Sequence, residues 1–379
     1  MAKTTFNVQP TFFGRSALIP TSMELPVLQP HDREATNAGG LLREMLMLSP
    51  VTPQLHNFLV GTYSSTVHRL YPVLTDDDLS RLSEQALGSA PTASEAFTRN
   101  MVYSIACYCI VGHDEANLYR PLAEACHQAA LRQTEHVTAK LDVASLRSIT
   151  LLALHSLFAP HLGNCTQLIG IAARMCIDLC LSESREPSLH GLYISVLCIE
   201  RQVALALDRP WVLSLKGQDD DTANVEPIAL LYALLSIQSR AKAHISTDKP
   251  CDLQVLMQSL TKIAGLISAY KQEQKIPNLM SALRETEFAL HPETSSNRAL
   301  LLMLSYQHPG YWFTFLTPLW IFRGVCWMLK CSEDARLARS SEGYRSSIMM
   351  LDRASQRWSF CRALIRALEA EADKRDKPC

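Results

Sequence analysis

Glycine and proline are scarce in this chain, 14 and 19 of 379 residues. Together they fall below the roughly 12% of average usage, so positions that demand a positive φ or a fixed φ are few. That scarcity favours long helices over turn-rich β architectures. A surplus of charge is missing too, since 36 Lys and Arg balance 37 Asp and Glu for a formal charge of -1. Recognition of nucleic acid or anionic membrane by bulk electrostatics needs clustered lysine and arginine, and no basic block is present. The most apolar stretch, residues 300–329, is broken by Gln307, His308, Pro309 and Arg323. It reads as core and not as a membrane span. The opening Met1-Ala2-Lys3-Thr4-Thr5-Phe6 has no apolar h-region, so secretion is not expected.

Cysteine is absent from residues 1–106, although the chain has 12. Most of the thiols, including Cys126, Cys176, Cys180, Cys198 and Cys326, lie in apolar periodic segments, where cysteine acts as a small hydrophobe. Reduced thiols in a nuclear or cytoplasmic protein are the expectation. Cys107 with Cys109, and Cys176 with Cys180, have no second pair at zinc-site spacing. Also lacking are a phosphate-cradling Gly-x-x-x-x-Gly-Lys-Ser/Thr loop, a dinucleotide glycine fingerprint, His-Glu-x-x-His and Gly-x-Ser-x-Gly. An enzyme on a familiar nucleotide or hydrolase scaffold is thereby disfavoured, and no catalytic residue is assigned.

What is present is helical period. Scattered prolines (Pro10, Pro20, Pro26, Pro30) and Gly39-Gly40 suggest an extended N-terminal arm over residues 1–40. Residues 41–379 then read as one large helical domain. Apolar residues from Leu41 to Leu48 open a first helix that Pro50 and Pro53 close. A second runs over 53–70 to the break at Tyr71-Pro72. Thr75 is an N-cap for a helix whose first turn holds Asp76, Asp77 and Asp78, as the helix dipole prefers. Helices follow over 97–111, 115–135, 143–158 and 165–181, and after Pro187-Ser188-Leu189 another runs through Leu197, Ile199 and Val203 to Leu207. In 165–181 the apolar Leu168, Ile169, Ala172, Met175, Cys176 and Leu179 recur at i, i+3, i+4, i+7. Residues 211–227 form a loop. Further helices are predicted over 227–245, 250–272, 276–288, 298–306, 311–331 and 340–375. No strand alternation and no fixed-period repeat occur. The fold is all-α, with roughly a dozen helices.

Several segments, in order, resemble the regulatory middle region of fungal zinc-cluster transcription factors. They are Leu70-Tyr71-Pro72-Val73-Leu74 before an acidic helix start, Leu151 to Phe158, Gly163-Asn164 leading into Leu168 to Leu179, and Glu200-Arg201-Gln202 leading into Asp208-Arg209-Pro210. Phe12-Phe13-Gly14-Arg15-Ser16 resembles a short segment that precedes that region. The resemblance covers residues 10–225, and the remainder only as helical pattern. It implies a transcriptional regulator acting through a protein partner, such as a DNA-binding transcription factor, or through a small apolar effector. A metabolic or secondary-metabolite gene set is the implied target. Four departures are visible, one being that the family's usual Trp in the Gly163-Asn164 segment is missing. The family's six-cysteine zinc module has no counterpart in residues 1–106, so DNA binding through a zinc cluster is not expected. Cys180 stands where a glycine commonly ends the helix, and Asp208 replaces the glycine of a Gly-Arg-Pro turn.

Other constellations carry competing readings. Lys216 to Asn224, with Asp219, Asp220 and Asp221, offers hard oxygens for Mg²⁺ beside a lysine for phosphate, or is a solvated acidic turn. The metal reading supports an alternative function, a Mg-dependent isoprenoid diphosphate (terpene) cyclase recruited from the scaffold. Otherwise no cofactor or metal is expected. His155 on an apolar helix is a hydrogen-bonded core imidazole or a base. The run Tyr311, Trp312, Phe313, Phe315, Trp320 and Phe322 is core, or lines an apolar or cation-stabilising pocket. Arg174, Arg201 and Arg209 are expected to pair internally with Asp178, Glu200 or Asp208, because an unpaired buried charge is costly.

Overall fold

Many helix starts among the described residues fall where the sequence supplies a side-chain oxygen or a proline. The computed structural model describes residues 6–7, 24–25, 51–84, 91–110, 113–184, 186–213, 226–247, 253–270, 276–290, 296–308, 310–331, 339 and 341–375. Among them are fifteen α-helices. The chain is all-α apart from one two-residue antiparallel ladder, β1 (Phe6–Asn7) with β2 (Glu24–Leu25). The helix expected over 41–48 and the Phe12–Ser16 segment lie outside the described residues. The chain divides into two compact units: Pro30–Glu200 with Trp211–Ala229, and Met1–Gln29 with Arg201–Pro210 and Leu230–Cys379. They are called here the amino unit and the carboxyl unit.

In the amino unit, α1 (Pro53–Tyr63) begins with Pro53 after Thr52, whose hydroxyl accepts from the Leu55 amide at 3.2 Å. It continues into a π-helical turn, Ser64–His68. There the Ser65 and Thr66 hydroxyls donate back to the Gly61 and Thr62 carbonyls, a bonding mode that loosens the helical ladder. Pro72 then ends the segment. Next come α2 (Asp76–Glu84) and α3 (Ala93–Cys109), the latter opened by a reciprocal capping box between Thr92 and Glu95. Met101 to Cys109 are buried without interruption, which makes α3 the central rod of this unit, since a helix apolar all round must be enclosed. Against it pack α1, α4 (His113–Leu131), the single turn α5 (Thr134–Val137) and α6 (Val143–Phe158). Ser104 fixes α3 to α4 by donating to the Ala123 carbonyl at 2.7 Å. Finally α7 (Cys165–Asp178) pairs with α6, and α8 (Pro187–Ala206) follows.

The carboxyl unit takes in the end of α8, most of α9 (Pro227–Thr247), and then α10 (Leu253–Ser268), α11 (Pro277–Leu290), α12 (Ser296–Ser305) and α13 (Thr317–Cys331). It closes with α14 (Glu342–Ser355) and α15 (Phe360–Arg375). Helix α10 buries Leu256, Leu260, Ile263 and Ile267, the i, i+4, i+7, i+11 stripe of an amphipathic helix. At Gly324 of α13 an added Cβ would lie 2.5 Å from the Met303 methyl of α12. A larger residue there would displace the flexible end of Met303.

Two expected helices are corrected. The helix predicted over 311–331 begins only at Thr317, because the Asn278 side-chain amide grips Trp312 from both sides. It donates to the Trp312 carbonyl at 2.9 Å and accepts from its amide at 3.2 Å, which holds the segment before Thr317 extended. The helix predicted over 340–375 is two, α14 and α15. The chain turns between them at Trp358, whose ring is 2% exposed and carries the Arg357 guanidinium 4.7 Å above it.

Candidate functional site

Most of the regulator-like segments lie in the amino unit, where local rules form them, while Arg201 to Pro210 belong to the carboxyl unit. Thr75 and Asp78 cap α2 reciprocally: the Asp78 amide donates to the Thr75 hydroxyl at 3.0 Å, and the Thr75 amide donates to the Asp78 carboxylate at 3.1 Å. Arg81 and Arg147 lie 2.9 and 3.7 Å from the same carboxylate. Those bonds and cations hold the Asp78 carboxyl below the usual range against the opposing effect of burial. The Asp76 to Asp78 triplet is thus a helix start. After Gly163, the Asn164 side chain accepts from the Gln167 amide at 3.2 Å and opens α7.

The same region ends in left-handed backbone. Cys180, just after α7, has φ 52°, and Asp208, just after α8 in the carboxyl unit, has φ 53°. No other non-glycine among the described residues has a positive φ. These are the two positions singled out in the sequence for lacking glycine. Both turns keep the backbone shape that glycine adopts without strain, at a cost of roughly 1–2 kcal/mol for a side chain with a Cβ. Asp208 is held there by an ion pair with Lys242 at 2.5 Å, whereas Cys180 is exposed.

The arginine expectations divide. Arg174 does meet Asp178, at 3.0 Å, but its side chain is 72% exposed, so this is a surface pair and not an internal clamp. Asp208 takes Lys242, a partner 34 residues away that the sequence reading did not name. The buried Glu200 carboxylate accepts from two consecutive backbone amides, Val212 at 2.7 Å and Leu213 at 3.1 Å. In this way it fastens the chain just beyond Pro210 to α8. Arg201 is buried as well.

His155 is 1% exposed and His127 of α4 is 2% exposed. Their rings stack in parallel, with centroids 4.1 Å apart and planes at 3°. Tyr108 meets His155 edge-on and lies parallel to Phe158. Burial, reinforced by His161, pushes His127 down to about 4. Two stacked rings point their nitrogens in parallel planes, an arrangement suited to packing and not to gripping one metal ion. Among the described residues no group of three His, Cys, Asp or Glu could hold one.

The aromatic run belongs to the carboxyl unit. Trp312, Phe315, Trp320 and Phe322 are all buried. The cation over Trp320 is the chain's own Arg323, 5.1 Å from the ring centroid. Arg323 also donates to the Ala206 carbonyl at 2.7 Å, capping the last turn of α8, whose final carbonyls lack helical partners. Tyr306 donates to Glu285 at 2.8 Å. Burial pushes the half-buried Glu285 up to about 7, opposed by Tyr306 and Arg323. This group escaped the sequence reading, although Arg323 had been noticed as a charge inside the most apolar stretch.

Lys216 and the acidic triplet Asp219, Asp220 and Asp221 lie outside the described residues. No described helix is long and apolar enough to cross a membrane.

No protein-family model matches the chain, and no solved structure does. One curated relative is a Candida glabrata protein described as "Negative regulator of pleiotropic drug resistance STB5". It is 25% identical over 233 residues, covering 54% of this chain and 22% of that protein. The similarity is to a fungal regulator. This chain spans about a fifth of that relative's length.

Proposed function

We propose that the chain is the helical, effector-sensing part of a fungal-type transcriptional regulator. The observation that carries this reading is the similarity to a regulator across 54% of the chain. It is supported by left-handed backbone at Cys180 and Asp208, where the resembling family carries glycine. The helical body works through a protein partner, a DNA-binding transcription factor, or through a small apolar effector, and acts in the nucleus or moves there from the cytoplasm. Its target is a metabolic or secondary-metabolite gene set.

The test is a reporter experiment. The full chain is fused to an unrelated DNA-binding domain and expressed beside a reporter with that domain's sites. Reporter output that changes, together with recovery of a sequence-specific DNA-binding protein by crosslinking, is the expected result. Unchanged output together with no DNA-binding partner overturns the proposal.

A further inference from the structure

Helix α12 of the carboxyl unit is apolar on two faces. Ala299, Leu302 and Met303 are fully buried, whereas Leu300, Leu301 and Leu304 on the outer side are between 38% and 51% exposed. A helix that is apolar all round is normally covered on each side, and a cluster of exposed leucines, unlike a single one, marks a contact surface. These leucines border α14, since the Leu300 Cδ1 lies 3.1 Å from where a Cβ would stand at Gly343. Further along α14, Met349 is 50% exposed. It sits one turn from the exposed Arg345 and one turn from the exposed Arg353, so the three share one row along the helix surface.

The charge beside that row is of one sign. From Arg345 to Arg366 the chain holds five arginines and a single acid, Asp352, although its whole formal charge is -1. Among the described residues no carboxylate comes within ion-pair distance of Arg353, Arg362 or Arg366, and all three are exposed. Local rules oppose the last two. Arg362 is the third residue of α15 and Arg366 follows one turn later, so both cations stand at the positive end of the helix and repel each other at i, i+4. An arrangement that costs helix stability, with no compensating acid among the described residues, is the mark of a surface kept for binding.

We propose that this face of α12, α14 and α15 docks an acidic amphipathic helix of a partner protein, with its apolar side on the leucines and Met349 and its carboxylates on Arg353, Arg362 and Arg366. If the chain works through a protein partner, as proposed above, this is the face that the partner meets. Opposite charges at the rim steer the encounter, and the apolar centre supplies affinity. A second copy of the chain fits poorly, because a two-fold contact sets the same patch against itself, arginine to arginine. Four half-exposed side chains also fall well short of the roughly 800 Å² that each partner of a stable dimer buries. Nucleic acid would match the arginines and leave the leucines uncovered. An anionic membrane is opposed by Glu342 and Asp352, both exposed on α14.

The test sets the full chain against a display library of short random peptides. The peptides selected are expected to carry apolar residues at i, i+3, i+4 and i+7 with Asp and Glu between them. A synthetic copy of one, followed by fluorescence polarisation, should lose affinity as salt rises. The double variant Arg362→Glu with Arg366→Glu is expected to weaken that binding roughly tenfold while its melting temperature rises by about 2 °C, since acids suit the start of a helix. Binding and stability then move in opposite senses, which misfolding cannot imitate. Leu304→Asp weakens the same peptide by a similar factor. Selected peptides without acids, no selected peptide at all, or equal binding by either variant overturns the proposal. So does binding of duplex DNA or phosphatidylserine vesicles that the arginine variant abolishes, or a dimer in sedimentation that Leu304→Asp dissolves. A negative result beside an intact reporter response strikes the docking face and leaves the regulator reading standing.

Discussion

The two units bury ionisable groups of opposite kind. The amino unit encloses an imidazole stack, in which His127 is pushed down to about 4. The carboxyl unit holds a half-buried carboxyl, Glu285, pushed up to about 7. In each case burial favours the neutral form, yet the consequences for stability run in opposite directions. A depressed histidine contributes stability that is present above its unfolded value near 6.5 and lost as pH falls towards 4. A raised carboxyl contributes stability that is complete below its unfolded value and lost as pH rises through the folded one. The amino unit therefore weakens as pH falls from 6.5 towards about 4, and the carboxyl unit as pH rises from 4.5 to about 7.

Several substitutions break or sharpen that contrast. The largest effect belongs to Arg323→Ala, which uncaps α8 and leaves Glu285 and Asp208 without their shared cation. Breaking a buried charge network in this way costs about 3–5 kcal/mol, measured by urea denaturation. Adding Glu285→Gln should return part of that loss. Next is His127→Gln, which keeps the ring position neutral and flattens the acid limb. Between pH 6.5 and 4 the wild type should lose roughly 3 kcal/mol that the variant retains, read as the pH dependence of the denaturation midpoint.

The paired glycine substitutions come third, and they test the units against each other through the same backbone strain. Cys180→Gly should stabilise by about 0.5–1 kcal/mol, since it relieves a left-handed conformation and sacrifices only exposed atoms. Asp208→Gly relieves the same strain but strands Lys242, for a net loss of about 2 kcal/mol. Equal responses in calorimetry would mean that the ion pair contributes nothing. Removing the α2 cap with Thr75→Ala should cost about 1 kcal/mol. The exposed Arg174→Ala should change stability by less than about 0.5 kcal/mol.

Much of the amino unit was legible in the sequence because its helices start on local signals. Asn164, Thr75 and Pro187 mark their starts within the chain itself, and α6 falls on the expected 143–158. The lack of glycine at positions 180 and 208 also pointed to real turns. The carboxyl unit was less legible, because its decisive contacts span long separations. Asn278 reaches Trp312 across 34 residues, and Arg323 reaches Ala206 across 117. Nothing in the neighbourhood of Tyr311 to Leu316 announces that a distant amide will keep it from being helical. Nor does a proline or glycine mark the turn at Trp358, where burial of one indole decides the path. A signal for Glu285 did exist: it shares a helical stripe with Ala282 and Ala289, both buried, and an acid on an inward stripe asks for a donor.

The left-handed turn at Cys180 has a chemical corollary. Buried thiols such as Cys126, Cys165 and Cys361 are pushed up to about 12 and hold their protons at neutral pH, so they resist alkylation. Cys180 and Cys331, by contrast, are exposed, one in each unit. A mild maleimide will select these two among the described thiols, giving one labelling site in each unit at which local opening can be read from the labelling rate in rising urea.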